Sequence, residues 1–486
     1  MRLTVPGTSL TLDLGALRAR AASSPLHLLT GRRSGFRLLL LFLLVCLVLV
    51  AHPSPPLPPS YAVEYRVERT LPQHDYRLPF PEGRYGRYVK FDVPKGTGFN
   101  HQLQRVFLQH HVAFSANRSL AFEPYVEADT VSLPLPCSVA LTPASQLVPV
   151  LLNKWPWRNA RIPLSAYIAS VISGFERHYR APRAVTSSFY DSVCPRSRQR
   201  VITLKTEANP NGQFTLPADG KARLHDLENM LADSVNCIRI KGEVFDDEFF
   251  DSTASVDIVD ALAKSPVMAH FTFSPRVLNI LNRMMPAIAP HSASYDVERI
   301  AHSRNKAIMP TNPWKHILAL HLRRGDGWEA ACEEKAARSA PFVSWNKLPK
   351  LPGNENVPPP ADMVEDTRLG LYRAKCLPDV KAIIARARRM RKNHPLLRSI
   401  YLLTDAPDDW TEEVRRWLAS DAWDKVFVGR TDVYPNFQDR EVGPAVDMEV
   451  ARRAGVFVGN GFSTTTANIV LLRTRDGIHP DFTQFW

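Results

Sequence analysis

Residues 316–322 read HILALHL and lead directly into Arg323-Arg324-Gly325-Asp326. A near-continuous apolar run of this length is typical of a strand that is buried on both faces, as the strands of parallel sheets are. The polar residues that follow mark the point where such a strand ends. This stretch therefore predicts a buried strand with two arginines at its carboxyl end.

The rest of the second half alternates strand-like and helix-like segments. Further strands are predicted at 399–403, 425–428 and 456–458, and helices at 378–393, 412–418, 445–454 and 465–472. This alternation indicates an α/β fold with a parallel sheet, whose ligands bind at the carboxyl ends of the strands. Polar clusters follow three of the strands, at 321–326, 404–405 and 460–466. We expect a binding site where they meet.

The first half has a weaker pattern. Strands are predicted at 88–93, 120–126 and 237–240, and helices at 257–264 and 275–285. Residues 158–213 are polar and irregular, so we expect them to form a peripheral excursion. Order is expected to begin near Tyr85.

Residues 36–51 read FRLLLLFLLVCLVLVA, and the arginines nearby lie mostly before this run. The run is shorter than the ~20 apolar residues of an average membrane span. Positive flanks stay cytosolic, so we expect a cytosolic tail at 1–35, a transmembrane signal anchor at 36–51 and a luminal remainder. The Pro-dense start of 52–84 predicts an extended stalk. A cleaved signal peptide is the alternative, but HPSPP at 52–56 is not a small-residue cleavage site.

Composition limits the remaining possibilities. The chain has 486 residues, 45% hydrophobic and 22% charged, and a formal charge of +13. These values suit a globular protein of two or three domains rather than a disordered one. The basic residues form no long run, and together with a luminal location this disfavours a nucleic-acid binder.

Cysteine usage and one sequon fit a secretory protein. Five cysteines follow the apolar run, at Cys137, Cys194, Cys237, Cys332 and Cys376. An oxidising lumen would allow two disulfides and one free thiol among them. The chain has no CxxC spacing, which disfavours zinc, and Asn117-Arg118-Ser119 is its one N-glycosylation sequon.

Arg323 is the first candidate for chemistry. An arginine just beyond a strand end is well placed to grip a diphosphate, because its planar fork donates two parallel hydrogen bonds to phosphate oxygens. A fixed cation there would also stabilise the charge on a departing nucleoside diphosphate. A structural ion pair is the alternative. The triplet Arg324-Gly325-Asp326 also spells an adhesion signal, which a strand-end position disfavours.

A second candidate is the hydroxyl-rich segment GNGFSTTT at 459–466, which opens a helix. Backbone N–H groups and hydroxyls at a helix start form an anion site. The candidate ligands are Ser463, Thr464, Thr465 and Thr466. Ordinary helix capping by Ser463 or Thr464 is the alternative.

Other polar residues complete the candidate site. GTGFNHQ at 96–102, with Gly98, Asn100 and His101, could close over a ligand because glycines allow close backbone approach. Asp405 and Asp447 could accept hydrogen bonds from a base or a ribose, although Asp447 also suits an N-terminal helix position. The acidic runs at 246–248 and 408–409 are expected to be solvated surface rather than metal sites.

Four segments together resemble a known family. HLRRGDGWEAAC (321–332), YVKFDVPKGTGFNHQ (88–102), YLLTDAPDD (401–409) and DMEVARRAGVFVGNGFSTTTA (447–467) resemble motifs of the GDP-fucose protein O-fucosyltransferases, of the fungal, membrane-anchored type. The four segments occur in the family's order. Between them the match is mainly one of hydrophobic pattern.

The resemblance implies a GT-B fold, with a Rossmann-like acceptor-side domain at 85–300 facing a GDP-sugar-binding domain at 301–486. It implies inverting transfer of fucose from GDP-fucose to a Ser or Thr hydroxyl of a secretory-pathway protein, without a metal or other cofactor. Arg323 would be the catalytic group at the diphosphate. The implied substrate-binding residues are Gly98, Asn100, His101, His321, Arg324, Asp405, Asp447, Ser463, Thr464, Thr465 and Thr466, and the implied disulfide is Cys332–Cys376.

Two departures leave alternatives open. Thr97 stands where one branch of the family carries a catalytic glutamate, so the group that takes the acceptor proton is unassigned. A non-catalytic luminal GDP-sugar-binding protein is one consequence. The Arg323-Arg324 doublet also resembles a motif of fucosyltransferases that modify glycans, so a glycan hydroxyl competes with a protein hydroxyl. The expected location is the endoplasmic reticulum or the Golgi.

Overall fold

Two five-stranded parallel sheets form the framework of the protein. The computed structural model describes residues 2–4, 11–13, 60–93, 97–126, 161–175, 181–205, 209–288, 313–325, 327–355, 357–360 and 362–486. The chain divides into an N-terminal unit, Met1–Leu57, and a larger unit, Pro58–Trp486. In the first unit, β1 (Arg2–Thr4) pairs with β2 (Thr11–Asp13) in antiparallel fashion. Both five-stranded sheets belong to the second unit.

The membrane anchor expected at 36–51 lies outside the described residues, as does the start of the stalk at 52–59. Among the residues that the structure does describe, none of the helices has the length and apolar character needed to span a bilayer.

The expected stalk is wrong beyond residue 59. Helix α1 (Ala62–Arg69) is flanked by the buried Tyr61 and Leu71. Glu68 of this helix accepts a hydrogen bond of 2.9 Å from the backbone N–H of Ser165. Because apolar anchors lie on both sides of the helix, this segment packs on the folded unit instead of extending away from it.

The first sheet runs in the order β7-β4-β3-β9-β8, and all its strand pairs are parallel. Its strands are β3 (Tyr88–Phe91), β4 (Ser119–Phe122), β7 (Ala184–Thr186), β8 (Gln199–Thr203) and β9 (Cys237–Lys241). A separate antiparallel pair joins β5 (Tyr125–Val126) to β6 (Arg161–Ile162).

Helices surround this sheet. They are α2 (Phe99–Ser115), α3 (Ser187–Val193), α4 (Gly220–Leu231), α5 (Asp247–Asp251), α6 (Ala254–Asp257), α7 (Val259–Lys264), α8 (Pro266–Ala269) and α9 (Pro275–Ile288). Phe99, Leu103 and Phe107 on α2 are buried, and their four-residue spacing gives the helix an apolar face.

The expectation of a peripheral excursion at 158–213 is wrong. This range contains β7 and β8, which lie at the two edges of the first sheet. All three residues of β7 are buried. A three-residue strand is too short to produce an alternating pattern, so the sequence carries little sign of it.

The second sheet runs in the order β12-β11-β10-β13-β14, again with only parallel pairs. Its strands are β10 (Ile317–Leu322), β11 (Ser399–Thr404), β12 (Lys425–Val428), β13 (Val456–Gly459) and β14 (Thr483–Phe485). Counted from β10, the order is 3-2-1-4-5, which is the arrangement of a Rossmann-type sheet. The expected α/β class is confirmed, and β14 is a strand that the sequence pattern did not predict.

The helices described in this half are α10 (Trp328–Ala337), α11 (Glu365–Cys376), α12 (Val380–Asn393), α13 (Asp408–Ser420), α14 (Phe437–Arg440), α15 (Gly443–Arg453) and α16 (Thr464–Arg475). Helices α12, α13, α15 and α16 begin within four residues of their predicted starts, whereas α10, α11 and α14 were not predicted. Asp379 caps α12 by accepting a 2.7 Å hydrogen bond from the backbone N–H of Ala382. Arg391 and Lys392 lie in its last turn, as the helix dipole favours.

Two disulfides lie within the described residues. One joins Cys194 to Cys237, linking the end of α3 to β9. The other joins Cys332 to Cys376, the pair that the family resemblance implies, and ties α10 to the end of α11. Cys46 and Cys137 lie outside the described residues.

Candidate functional site

The carboxyl ends of β10 and β13 lie side by side at the switch point of the second sheet. The chain continues from β10 to β11 on one side of this point and from β13 to β14 on the other. Nδ1 of His321, on β10, is 2.8 Å from the hydroxyl oxygen of Thr466. The same oxygen accepts a hydrogen bond of 3.0 Å from the backbone N–H of Asn460. Thr466, expected to contact phosphate, therefore joins the two strand ends in this structure.

His321 is a neutral group in this setting. The pKa of its imidazole is lowered to about 4, and burial is the largest cause. Asp405 opposes this shift, and Arg323 contributes to it. The indole of Trp486 donates a 2.9 Å hydrogen bond to the backbone carbonyl of His321. The imidazole is thus fixed beside the expected donor position without carrying charge.

The start of α16 has the features of an anion site. Ser463 is the residue at the helix cap, yet its side chain makes no capping hydrogen bond. Its hydroxyl oxygen is buried and has no hydrogen-bond partner among the described residues. Ordinary capping therefore does not explain this serine. The first N–H groups of a helix also lack intrahelical partners, and they carry the positive end of its dipole.

Asn100 connects the first half of the protein to this helix. Its side-chain amide donates a 2.8 Å hydrogen bond to the hydroxyl oxygen of Thr465. Asn468, one turn further along α16, donates to the carbonyl oxygens of the Asn100 backbone and side chain, both at 3.0 Å. Gly98 precedes α2 with a φ of −63°, and a Cβ there would meet nothing within 4 Å. No neighbouring residue therefore requires a glycine at this position, and the role of Gly98 at a ligand stays a prediction.

Arg323 lies at the carboxyl end of β10 with its side chain 37% exposed. Its Nε is 3.7 Å from Oδ2 of Asp405, and its guanidinium carbon is 4.4 Å from the centre of the Trp328 ring. Burial lowers the pKa of Arg323, and Asp405 opposes that effect. An arginine has five N–H donors, and one long ion pair leaves most of them available for a ligand.

Arg324 and Asp405, both expected to bind substrate, instead hold the turn that carries Arg323. The backbone N–H of Arg324 donates a 2.7 Å hydrogen bond to Asp405. The Arg324 guanidinium donates to the carbonyl of Pro378 at 2.7 Å and lies 4.2 Å from the Trp410 ring centre. A Cβ at position 325 would come within 2.5 Å of the Asp405 carboxylate, so this close approach requires Gly325.

A cavity of about 350 Å³ opens beside Arg323 and Thr464. Its volume is within the ~300–1,000 Å³ typical of small-molecule sites. Both halves of the protein line it: the first half through His101, Gln104, Asp247, Phe250 and Asp251, and the second through Arg323, Trp328, Lys335, Arg338, Val343 and Thr464 among others. A nucleotide bound here would contact both sheets' helices.

Asp447 is used differently from the prediction. The Tyr401 hydroxyl donates a 2.7 Å hydrogen bond to Oδ1 of Asp447, and the Tyr434 hydroxyl donates one of 2.7 Å to Oδ2. Burial raises the pKa of this carboxyl to about 7, although the two hydrogen bonds lower it. Gly429 packs against all three groups, and a side chain there would collide with them. Asp447 therefore belongs to a buried cluster and is not in the lining of the cavity.

Several residues of the cavity were not predicted from the sequence. Asp247 is solvated as expected, with its side chain 74% exposed, but it also lines the cavity and pairs with Arg105 at 2.9 Å. Gln104 is buried, and its side-chain amide has no hydrogen-bond partner in the described part of the chain. A signal for Gln104 existed, because it lies four residues after Asn100 and so shares its helix face.

The remaining predicted features lie elsewhere. Asn117 is exposed in the turn after α2 with a φ of 54°, and its side-chain oxygen accepts a 2.9 Å hydrogen bond from Arg183. Its glycosylation stays a prediction. In the ranges covered by the structure, no group of three or more His, Cys, Asp or Glu residues is arranged to hold a metal ion.

Comparison with known proteins identifies a protein family that matches this chain. The profile described as GDP-fucose protein O-fucosyltransferase matches residues 175–475. No curated protein sequence matches the chain. Among solved structures, POFUT1 in complex with GDP is 14% identical with a TM-score of 0.46, covering 82% of this chain and 97% of that one.

Two further solved structures are similar. A complex of POFUT1 with GDP-fucose is 13% identical with a TM-score of 0.47, covering 82% of this chain and 97% of that one. An Arabidopsis thaliana FUT1 mutant in complex with GDP is 10% identical with a TM-score of 0.34, covering 87% of this chain and 79% of that one. The family match spans more than half of the chain and includes the turn at Arg323 and the start of α16, and the protein therefore belongs to the GDP-fucose protein O-fucosyltransferase family.

Proposed function

We propose that this protein transfers fucose from GDP-fucose to a Ser or Thr hydroxyl of a secretory-pathway protein, with inversion at the anomeric carbon and without a metal ion. The observation that carries the proposal is the cavity in which Arg323 lies beside the start of α16 and faces residues of the first half. A cation and a helix N-terminus converging on one cavity form a site for a diphosphate.

The donor is proposed to bind to the second half. Its diphosphate would lie between Arg323 and the first turn of α16, where Thr464 lines the cavity. The preceding residue is Ser463, whose buried hydroxyl has no hydrogen-bond partner among the described residues. As the bond from the anomeric carbon to the β-phosphate oxygen breaks, negative charge grows on that oxygen. Arg323 would stabilise this charge, a contribution that is typically worth about 100-fold in rate or more.

The acceptor is proposed to enter from the side of the first half. His101 and Asp247 line the cavity opposite the diphosphate-binding groups. An acceptor hydroxyl held on that side would attack the anomeric carbon from the face opposite GDP, which inverts the configuration. This is the two-domain arrangement of a GT-B enzyme, with a donor half and an acceptor half sharing one cavity.

The charges at the site support the proposed metal independence. Arg323, Lys335 and Arg338 all line the cavity, and the positive end of α16 adds to them. Together these groups supply the positive charge that a divalent ion provides in other nucleotide-sugar sites. We therefore propose that the protein uses side chains and a helix dipole where such sites use a metal.

The proposed location is the lumen of the endoplasmic reticulum or the Golgi, with residues 36–51 as a type II anchor. Two features support it. The first is the apolar run itself, with arginines on its N-terminal side. The second is the pair of disulfides, because disulfides persist mainly in oxidising compartments.

A donor and acceptor panel tests the proposed function. The full chain, purified in detergent, is titrated with GDP-fucose, GDP-mannose and UDP-sugars, and GDP release is then followed with Ser/Thr peptides or glycans as acceptors, with and without a chelator. We expect tight binding of GDP-fucose only, GDP release with peptides, and no effect of the chelator.

Each other result has a definite meaning. Release with glycans alone would replace the protein acceptor with a sugar hydroxyl. Binding of GDP-fucose without release to any acceptor or to water would indicate a non-catalytic binding protein. Loss of activity with the chelator, restored by a divalent ion, would contradict the metal-free mechanism.

A further inference from the structure

Three groups that could accept a proton line the cavity beside Arg323. They are His101 on α2, Asp247 on α5 and Asp251 at the end of α5. Thr97 has an alcohol where a carboxylate would be needed, and a neutral alcohol is too weak a base to take a proton at neutral pH. These three groups are therefore the candidates for the acceptor proton.

Both carboxylates lie near cations of the protein. Asp247 accepts a hydrogen bond of 2.9 Å from the Arg105 guanidinium. Asp251 lies within electrostatic reach of the ammonium groups of Lys335 and Lys347. These cations compete with an acceptor hydroxyl for the carboxylate oxygens.

His101 is different, because its imidazole makes no hydrogen bond to another described residue, and it is only partly buried. Its position is nevertheless fixed. The preceding residue, Asn100, is bonded to both Thr465 and Asn468 of α16. The backbone carbonyl of His101 accepts a hydrogen bond of 3.4 Å from Arg105. The imidazole is therefore held at the cavity wall with its ring nitrogens free for a ligand.

Burial and the surrounding cations keep the imidazole of His101 neutral. Burial is the largest cause that lowers its pKa to about 4; Asp247 opposes this shift, and Arg105, Arg323 and Lys335 contribute to it. A neutral imidazole has one nitrogen lone pair that can take a proton. In the free protein the ring is therefore in the form that a general base requires.

We propose, building on the fucosyltransferase function proposed above, that the imidazole of His101 accepts the proton of the acceptor hydroxyl. The hydroxyl oxygen forms a bond to the anomeric carbon of fucose. The bond from that carbon to the β-phosphate oxygen breaks, and its electron pair leaves with GDP. The hydroxyl proton passes to a ring nitrogen of His101, giving an imidazolium that later releases the proton to water.

The surrounding groups suit this step. Once the donor binds, its diphosphate offsets the positive charges of Arg323 and Lys335, which oppose protonation of His101. Asp247 is the carboxylate whose charge favours the imidazolium. The basicity of His101 is therefore expected to rise when GDP-fucose is bound, which brings its pKa nearer to the operating pH, where a general base is most effective.

The test compares His101→Gln with wild type and with His225→Gln, a change at an exposed histidine of α4. GDP binding is measured by calorimetry, and GDP release from GDP-fucose is measured with water as the acceptor. We expect His101→Gln to bind GDP within threefold of wild type but to release GDP about 100-fold more slowly. His225→Gln should match wild type in both assays.

Two further readouts separate proton transfer from a structural role. Added imidazole should restore part of the activity of His101→Gly and none of that of Arg323→Ala. The acidic limb of the wild-type kcat/KM profile, expected near pH 4, should be absent in His101→Gln. A merely structural histidine would produce neither result.

The possible failures are distinguishable. Normal GDP release and an unchanged pH profile in His101→Gln, alongside loss of activity in Arg323→Ala, would overturn the assignment of His101 alone. A wild-type protein that binds GDP-fucose but releases no GDP would overturn the proposed function and this assignment with it.

Discussion

The side-chain amide of Asn100 donates a hydrogen bond of 2.8 Å to the hydroxyl of Thr465, which lies 365 residues further along the chain. Thr465 is in the first turn of α16, next to the proposed phosphate site, whereas Asn100 lies in the first turn of α2, the helix that carries His101. This hydrogen bond joins the two sides of the cavity, together with those that Asn468 donates to Asn100. These bonds hold the proposed donor and acceptor groups in place relative to each other.

This link gives the first prediction. Asn100→Ala and Thr465→Val should each weaken GDP-fucose binding and slow its turnover, because the two cavity walls lose their alignment. A double-mutant cycle on the free energy of unfolding should show a coupling of about 1 kcal/mol, the usual value for a direct hydrogen bond. Additive effects of the two changes would mean that the contact contributes nothing to the closed arrangement.

Arg323 gives the second prediction. Arg323→Ala should reduce GDP-fucose turnover about 100-fold or more, because the charge developing on the leaving phosphate loses its cation. The turnover of Arg323→Lys should lie between those of wild type and Arg323→Ala, since lysine keeps the charge but not the planar guanidinium.

The matched control is Arg389→Ala, which removes the same charge from an exposed position of α12. It should leave turnover unchanged. Near wild-type turnover in a folded Arg323→Ala protein would contradict the mechanism.

Ser463 gives the third prediction, which separates a ligand role from a capping role. Because its hydroxyl has no hydrogen-bond partner in the described part of the chain, Ser463→Ala should leave the thermal midpoint unchanged. If the hydroxyl binds phosphate, GDP affinity should fall about tenfold, the value of a hydrogen bond to a charged group. A lower thermal midpoint with unchanged affinity would instead assign Ser463 to the helix cap.

Asp447 gives the fourth prediction, on stability against pH. Its pKa is raised by burial to about 7 from an ordinary 3.8, so the folded protein holds a proton that the unfolded chain releases between these values. This contribution to stability is complete below about pH 4 and is lost as the pH rises through 7.

The measurement is the thermal midpoint of wild type minus that of Asp447→Asn across pH 4 to 8. The difference should fall between about pH 4 and pH 7 and level off above pH 7, because the asparagine does not titrate. Other carboxylates contribute equally to both proteins and cancel. A difference that stays constant over this range would show that Asp447 is ionised throughout.

Much of the second sheet could be predicted because each of its inner strands is buried on both faces. The apolar run at 316–322 and the strand at 456–458 correspond to β10 and β13, and their parallel pairing brings His321 near Thr466. A period of apolar residues is a local property, so it is visible without tertiary contacts.

The short edge strands were not predictable in this way. β7, β8 and β14 are three to five residues long, and their strand character comes from the neighbours with which they pair. The same holds for the segment at 61–84, which looked like a stalk because nothing local shows that Tyr61 and Leu71 have a surface to pack against.

The residues at the strand ends show most clearly what the sequence determined and what the tertiary structure decided. By itself, the sequence determined that Arg323, Asp405 and Ser463 lie at one edge of a parallel sheet, because strand ends follow from local pattern and parallel strands end together. Only the tertiary structure decided that Arg324 and Asp405 hold the turn, that Asp447 is enclosed by two tyrosines and that Asp247 faces Arg323 across the cavity. Those assignments depend on which distant segments pack together. The sequence around a hydrogen-bonding side chain does not show which residue it will contact.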